Sequence, residues 1–181
     1  MATIKAIPLP PRASLLDADR HDLLGLTLSA ALPLAVFVIM NGIGQLTGNP
    51  PLFFSPFGLP GWVGAVMHLA ALPLFGVARW MVVERGEAGR RAGWWLVGLM
   101  AGMILFPFAV VVLDSLALSV VSMALFLLGL ATVLRVTAVS SQAGMVMSPG
   151  LLWMGLSAAM GLALVAAWAP PFAVTNANNT I

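Results

Sequence analysis

Apolar residues fall into five long runs, at about 23–46, 61–83, 93–113, 116–138 and 146–168, and the segments between them hold most of the polar positions. Each run is close to the ~20 residues an α-helix needs to cross ~30 Å of hydrocarbon. None alternates apolar and polar positions as barrel strands do, and lipid admits only helices or closed barrels, so the pattern predicts five transmembrane helices. Residues 1–22 read as a polar N-terminal tail in which Asp17, Asp19, Arg20 and Asp22 directly precede the first run. A secretory signal would place a shorter apolar core after a basic patch and end at a small-residue cleavage site, so the first run is expected to stay attached. Residues 47–60, TGNPPLFFSPFGLP, form an uncharged loop rich in proline and phenylalanine, and 170–181 form a polar C-terminal tail. The fold class expected is an all-α integral membrane protein, a five-helix bundle over 23–169.

Composition sharpens this reading. Of 181 residues, 61% are hydrophobic and 8% charged, against about 25% charged in soluble domains. Too few charges remain to cover a soluble surface. The formal charge of +2 rests on eight basic and six acidic residues, too sparse for a nucleic-acid-binding face, so nucleic acid is excluded as a partner. With no cysteine, disulfides, thiolate metal sites and cysteine nucleophiles are excluded too. Lys5, Arg12, Arg20, Arg79, Arg85, Arg90, Arg91 and Arg135 all fall on one side of the five-helix scheme, with Arg79 about one turn inside the end of helix 2. The positive-inside rule then puts the N-terminus in the cytoplasm and the C-terminus outside.

Ionisable groups within the membrane are costly and mark the place to look for chemistry. His68 stands in the outer half of helix 2. A neutral imidazole there either serves as an axial ligand to a metallo-tetrapyrrole or bonds a neighbouring carbonyl within the bundle. Asp114 reads as a boundary residue, and Glu84 and Glu87 as part of a solvated turn with the arginines. Paired carboxylates, a nucleophile elbow, a phosphate loop and a metalloprotease motif are all missing from the sequence, which argues against hydrolysis and phosphoryl transfer. Gly98 and Gly102 form a GxxxG spacing in helix 3, suited to close helix approach inside the bundle or across a homodimer. Trp62, Trp94 and Trp95 begin helices, as interfacial belts require. The Pro/Phe-rich loop reads either as a lid on the bundle mouth or as a segment lying in the membrane interface.

Two stretches carry a family resemblance. In helices 4 and 5, Leu130-Ala131-Thr132, Val139-Ser140, Ala143-Gly144, Pro149 and Leu151-Leu152-Trp153 follow one another in ALFLLGLATVLRVTAVSSQAGMVMSPGLLWMGLSAA. Earlier, Pro56, Phe57, Pro60, Trp62-Val63, Gly76, Ala78 and Trp80 recur in SPFGLPGWVGAVMHLAALPLFGVARW. Together with five helices and a long proline-rich first loop, these motifs resemble the TspO/MBR family, the tryptophan-rich sensory or translocator proteins, over most of the chain. The sequence departs from the family pattern at His68 and Leu72, which replace Trp and Tyr, and at Val97, Ala101 and Ile104, which replace Gln, Asn and Trp. Gly150 and Gly161 likewise stand where the family has Tyr and Asn.

The resemblance implies a membrane binding protein for a flat hydrophobic ligand (a tetrapyrrole such as haem, porphyrin or chlorin, a sterol-like molecule or a carotenoid) acting in sensing, delivery or sequestration. Its expected location is a bacterial inner (cytoplasmic) membrane. Phe53, Phe54 and Phe57 are expected to close the pocket, and Trp62, His68, Leu72, Ala101, Ile104, Pro149, Gly150 and Trp153 to line it. The partners expected are the lipid bilayer and that small molecule, with a homodimer through Gly98 and Gly102. A structural or assembly subunit of a larger membrane complex is the alternative. A membrane isomerase or tetrapyrrole-modifying enzyme is third, because His68 has no acid or base partner at helical spacing.

Overall fold

The computed structural model describes residues 20–55 and 59–168. Phe57, most of the N-terminal tail and the C-terminal tail lie outside the described residues. The rest forms five helices, α1 (Arg20–Leu46), α2 (Gly61–Val83), α3 (Gly86–Val112), α4 (Ser115–Val139) and α5 (Ser141–Trp168), with no strand among the described residues. All five are long and apolar enough to cross a membrane. Hydropathy places the start of helix 3 at 93 and of helix 5 at 146, whereas the helices begin at Gly86 and Ser141. The extra turns carry Glu87, Arg90, Arg91 and Gln142, polar residues that continue a helix beyond hydrocarbon and leave no trace in an apolar count.

The last three connections are short because local groups stop each helix. After α2, Gly86 takes φ +69°, a left-handed conformation open to glycine, and starts α3. Asp114 caps α4, its Oδ1 accepting from the Ala117 N–H at 2.8 Å. One residue, Ser140, separates α4 from α5. Its N–H donates to the Val136 carbonyl at 2.8 Å and its Oγ accepts from the Ala143 N–H at 3.3 Å, so it closes one helix and caps the next. A Cβ on Gly144 would stand 2.2 Å from Thr137 Oγ1, which is why the hairpin needs a residue without one. The Val-Ser-x-x-Ala-Gly motif therefore has a local structural explanation.

α2 is the middle of the bundle, packed against α1, α3 and α5, while α4 packs on α3 and α5. The core is built from fully buried Leu72, Phe75, Ala78, Val82, Leu96, Leu99, Val136 and Met147. Small residues allow the helices to close on it. Gly76 sits over the Ser29 carbonyl of α1, where an added Cβ would come within 2.0 Å. Gly150 admits Phe75, whose ring would lie 2.7 Å from such a carbon. In hydrocarbon, where water cannot drive association, this close fit supplies most of the attraction between helices.

Each end of the bundle has a distinct character. Arg85, between α2 and α3, donates to the Val139 carbonyl at the end of α4 at 3.3 Å, and the Arg135 guanidinium lies 3.9 Å from the centre of the Trp95 ring. Basic groups from the α2–α3 turn and from α4 thus lie at one end. At the other end the first loop returns over the helices. The Leu52 N–H donates to the Pro107 carbonyl of α3 at 2.9 Å, and the Ser55 hydroxyl donates to the Pro60 carbonyl at 2.9 Å.

Candidate functional site

Four of the helices contain an internal proline: Pro33, Pro73, Pro107 and Pro149. Proline has no N–H, so each frees the carbonyl four residues earlier, and in a bilayer that carbonyl needs another donor. The structure supplies one in two cases. In α5 the Ser148 hydroxyl donates to the Met145 carbonyl, freed by Pro149, at 2.7 Å. In α3 the Met103 carbonyl, freed by Pro107, receives the imidazole of His68 from α2, with Nε2 at 2.8 Å. A carbonyl only accepts, so Nε2 carries the hydrogen and the ring is held in that tautomer.

Around this bond the loop end of the bundle is aromatic. The His68 ring stands 5.6 Å from Phe53, edge to face, and 6.5 Å from Phe106, nearly parallel. Phe53 also contacts Phe37 at 5.8 Å, and Phe37 contacts Phe108 at 6.0 Å. Gly64 at the start of α2 lets the Phe54 backbone lie against the helix, since a Cβ there would come within 1.9 Å of the Phe54 carbonyl oxygen. His68 is therefore covered by the loop and occupied by a backbone bond. These residues do not fit axial ligation of a metallo-tetrapyrrole through Nε2, whose lone pair is taken up in an N–H bond.

Next to this cluster is a chamber of about 350 Å³ between the loop, α3, α4 and α5. Phe53, Phe54 and Phe106 form its roof and one wall, and Ser115, Ser119, Ser122 and Ser157 give it polar points among apolar side chains. The Ser119 and Ser122 hydroxyls donate to the carbonyls of Ser115 and Ser119, at 2.8 and 3.0 Å, which leaves their oxygens as acceptors. Gly161 keeps this wall recessed, a Cβ there lying 3.3 Å from Ser119 Oγ.

The residues singled out from sequence are distributed over several places. Phe53 and Phe54 line the chamber. Ala101 and Ile104 instead border a second space, an open groove of about 790 Å³ between α1 and α3 that is floored by α2. Leu72 and Trp153 are buried in the bundle, Gly150 packs on Phe75, Pro149 is exposed on α5, and Trp62 is 67% exposed at the start of α2. None of these five lines either space. Gly102 and Gly98 also part company. A Cβ on Gly102 would meet Leu125 of α4 at 2.5 Å, whereas one on Gly98 would meet nothing within 4 Å.

The serine face of α4 was missed. Ser115, Ser119 and Ser122 recur at helical spacing, which is the signal that places them on one side. Arg79, which the sequence places about one turn inside the end of helix 2, lines the α1–α3 groove. No protein-family model, no curated protein and no solved structure matches this chain.

Proposed function

We propose that this chain is a TspO/MBR-like membrane protein that holds a compact, largely apolar molecule in the chamber beneath its first loop, for sensing, delivery or sequestration. The observation that carries the reading is the chamber itself: aromatic side chains of the loop and α3 face serine oxygens of α4 across about 350 Å³. That volume lies near the lower end of the ~300–1,000 Å³ usual for small-molecule sites. It favours a sterol-like ring alcohol, or one ring-bearing end of a longer molecule, over an entire tetrapyrrole. Because the Ser119 and Ser122 hydrogens are used within α4, the polar group that suits those two oxygens is a donor such as a ligand O–H or N–H. His68 belongs to the fold in this reading, and the protein acts by binding rather than by catalysis.

Support for the family scaffold comes from the five-helix bundle, from the first loop resting on it, and from the α4–α5 hairpin formed at the resembling motif. By the positive-inside rule the arginine-bearing end faces the cytoplasm, of a bacterial inner membrane in this reading. Exposed apolar helix faces are what lipid covers, so they do not by themselves favour a subunit role.

The test is titration of the purified protein with a sterol-like alcohol, a carotenoid and protoporphyrin, followed by thermal stability and absorbance. Saturable stabilisation by the ring alcohol is expected, weakened about tenfold or more in Ser122→Leu, which fills the chamber with a side chain. A wild-type protein indifferent to all three would end this reading, and stoichiometric co-purifying membrane partners would move the role to complex assembly.

A further inference from the structure

The groove between α1 and α3 is independent of the chamber. Leu28, Leu32, Val36 and Met40 of α1 face Val97, Ala101 and Leu105 of α3 across it. Among the residues lining it, Arg79 bears the sole charge. It stands about 6 Å from the last residue of α2, Val83, at the arginine-bearing end of the bundle.

A guanidinium is a planar cation with five N–H donors and no acceptor. The Nε of Arg79 is buried and has no hydrogen-bond partner. Among the described residues the one ion pair joins Arg91 to Glu87, on the exposed start of α3. Asp114 caps α4 at the opposite end, and Glu84 is exposed in the turn after α2. A charge set into an apolar wall at the depth of a lipid headgroup calls for an anion with an apolar body.

We propose that this groove is a lipid site, in which Arg79 holds the phosphodiester of an anionic phospholipid and one acyl chain lies between α1 and α3. The length of groove along α1 from Leu28 to Met40, about 18 Å, is close to the ~15 Å depth of one leaflet. Guanidinium and phosphate match in charge and geometry, since the planar fork donates two parallel bonds. A second copy of the chain is a poorer occupant: docking the same two faces would bring Arg79 against Arg79, and neither face carries an acid among the groove residues. A neutral lipid would leave the guanidinium unpaired.

The experiment uses the full chain in bilayer nanodiscs of equal phosphatidylglycerol and phosphatidylcholine, with retained lipid identified by native mass spectrometry. The wild type is expected to retain phosphatidylglycerol over phosphatidylcholine by about tenfold. Arg79→Gln removes that preference. Ala101→Trp keeps the arginine, fills the groove from an exposed position and lowers retention of both lipids, so it decides the matter even where Arg79→Gln fails to fold. Equal retention of the two lipids by the wild type would overturn the proposal, as would phosphatidylglycerol retention unchanged in Ala101→Trp. A dimer that Ala101→Trp dissociates with no change in lipid would give the groove to a second copy instead.

Discussion

A proline at position 107 cannot donate to the Met103 carbonyl, and an acceptor left bare in hydrocarbon is costly. His68, 35 positions before Met103, donates to it from the neighbouring helix at 2.8 Å, so the cost of one residue is offset by another on a different helix. His68→Ala is expected to destabilise the bundle by about 1–3 kcal/mol, partly from the orphaned carbonyl and partly from lost packing against Phe53 and Phe106. Pro107→Ala would return an N–H to α3 and supply the missing bond. The cost of His68→Ala should then fall by about 1 kcal/mol in the Pro107→Ala background, as read by reversible unfolding in bicelles. An equal cost in both backgrounds would mean that packing, and not the hydrogen bond, is what His68 contributes. His68 stood out in the sequence because it is a polar group in an apolar run. Its partner did not, because a backbone carbonyl has no letter of its own. The available signal was Pro107 inside the third apolar run, since any proline there announces a carbonyl in need of a donor one turn earlier.

Among the elements, spans were legible and contacts were not. A run of apolar residues long enough to cross hydrocarbon has few other folds open to it, which is why the five runs coincide in place with five helices. The first loop shows the limit: four prolines and three phenylalanines announce an apolar segment, yet whether it rests on helices or in lipid depends on where the backbone can come close. Gly64 settles this locally by admitting the Phe54 carbonyl, and the Leu52 N–H then reaches Pro107 of α3 at 2.9 Å. Gly64→Ala sets a methyl where that carbonyl stands. We expect it to lift the loop, with amide exchange at Leu52 becoming at least about tenfold faster while amides in the middle of α2 keep their protection. Unchanged exchange at Leu52 would show that the loop is held by something other than this approach. The chamber under the loop was hidden for a related reason. Serines on α4 look like neutral filler in an apolar run, and only the α4–α5 packing, with Gly161 recessed opposite, turns them into a wall.

At the scale of the whole molecule the two ends differ in charge, and that asymmetry was readable before any contact was known. Arg85, Arg90, Arg91 and Arg135 belong to the end where α2 meets α3 and α4 meets α5, and Arg85 fastens those two connections through the Val139 carbonyl. The opposite end carries Thr47, Asn49 and Asp114 and no Lys or Arg among the described residues. In the orientation we propose, with the arginines inside, the loop-covered chamber lies toward the outer face and the proposed Arg79 site draws its lipid from the inner leaflet. The chain has no cysteine, so one introduced thiol reports one position. Thr47→Cys and Gln142→Cys are exposed at the two ends. In intact cells a membrane-impermeant maleimide is expected to label the first and to reach the second only after permeabilisation. The reverse pattern would invert the bundle. It would put the chamber on the cytoplasmic side and Arg79 in the outer leaflet, where anionic phospholipid is scarcer in many membranes, and the lipid site would then have to find its anion there.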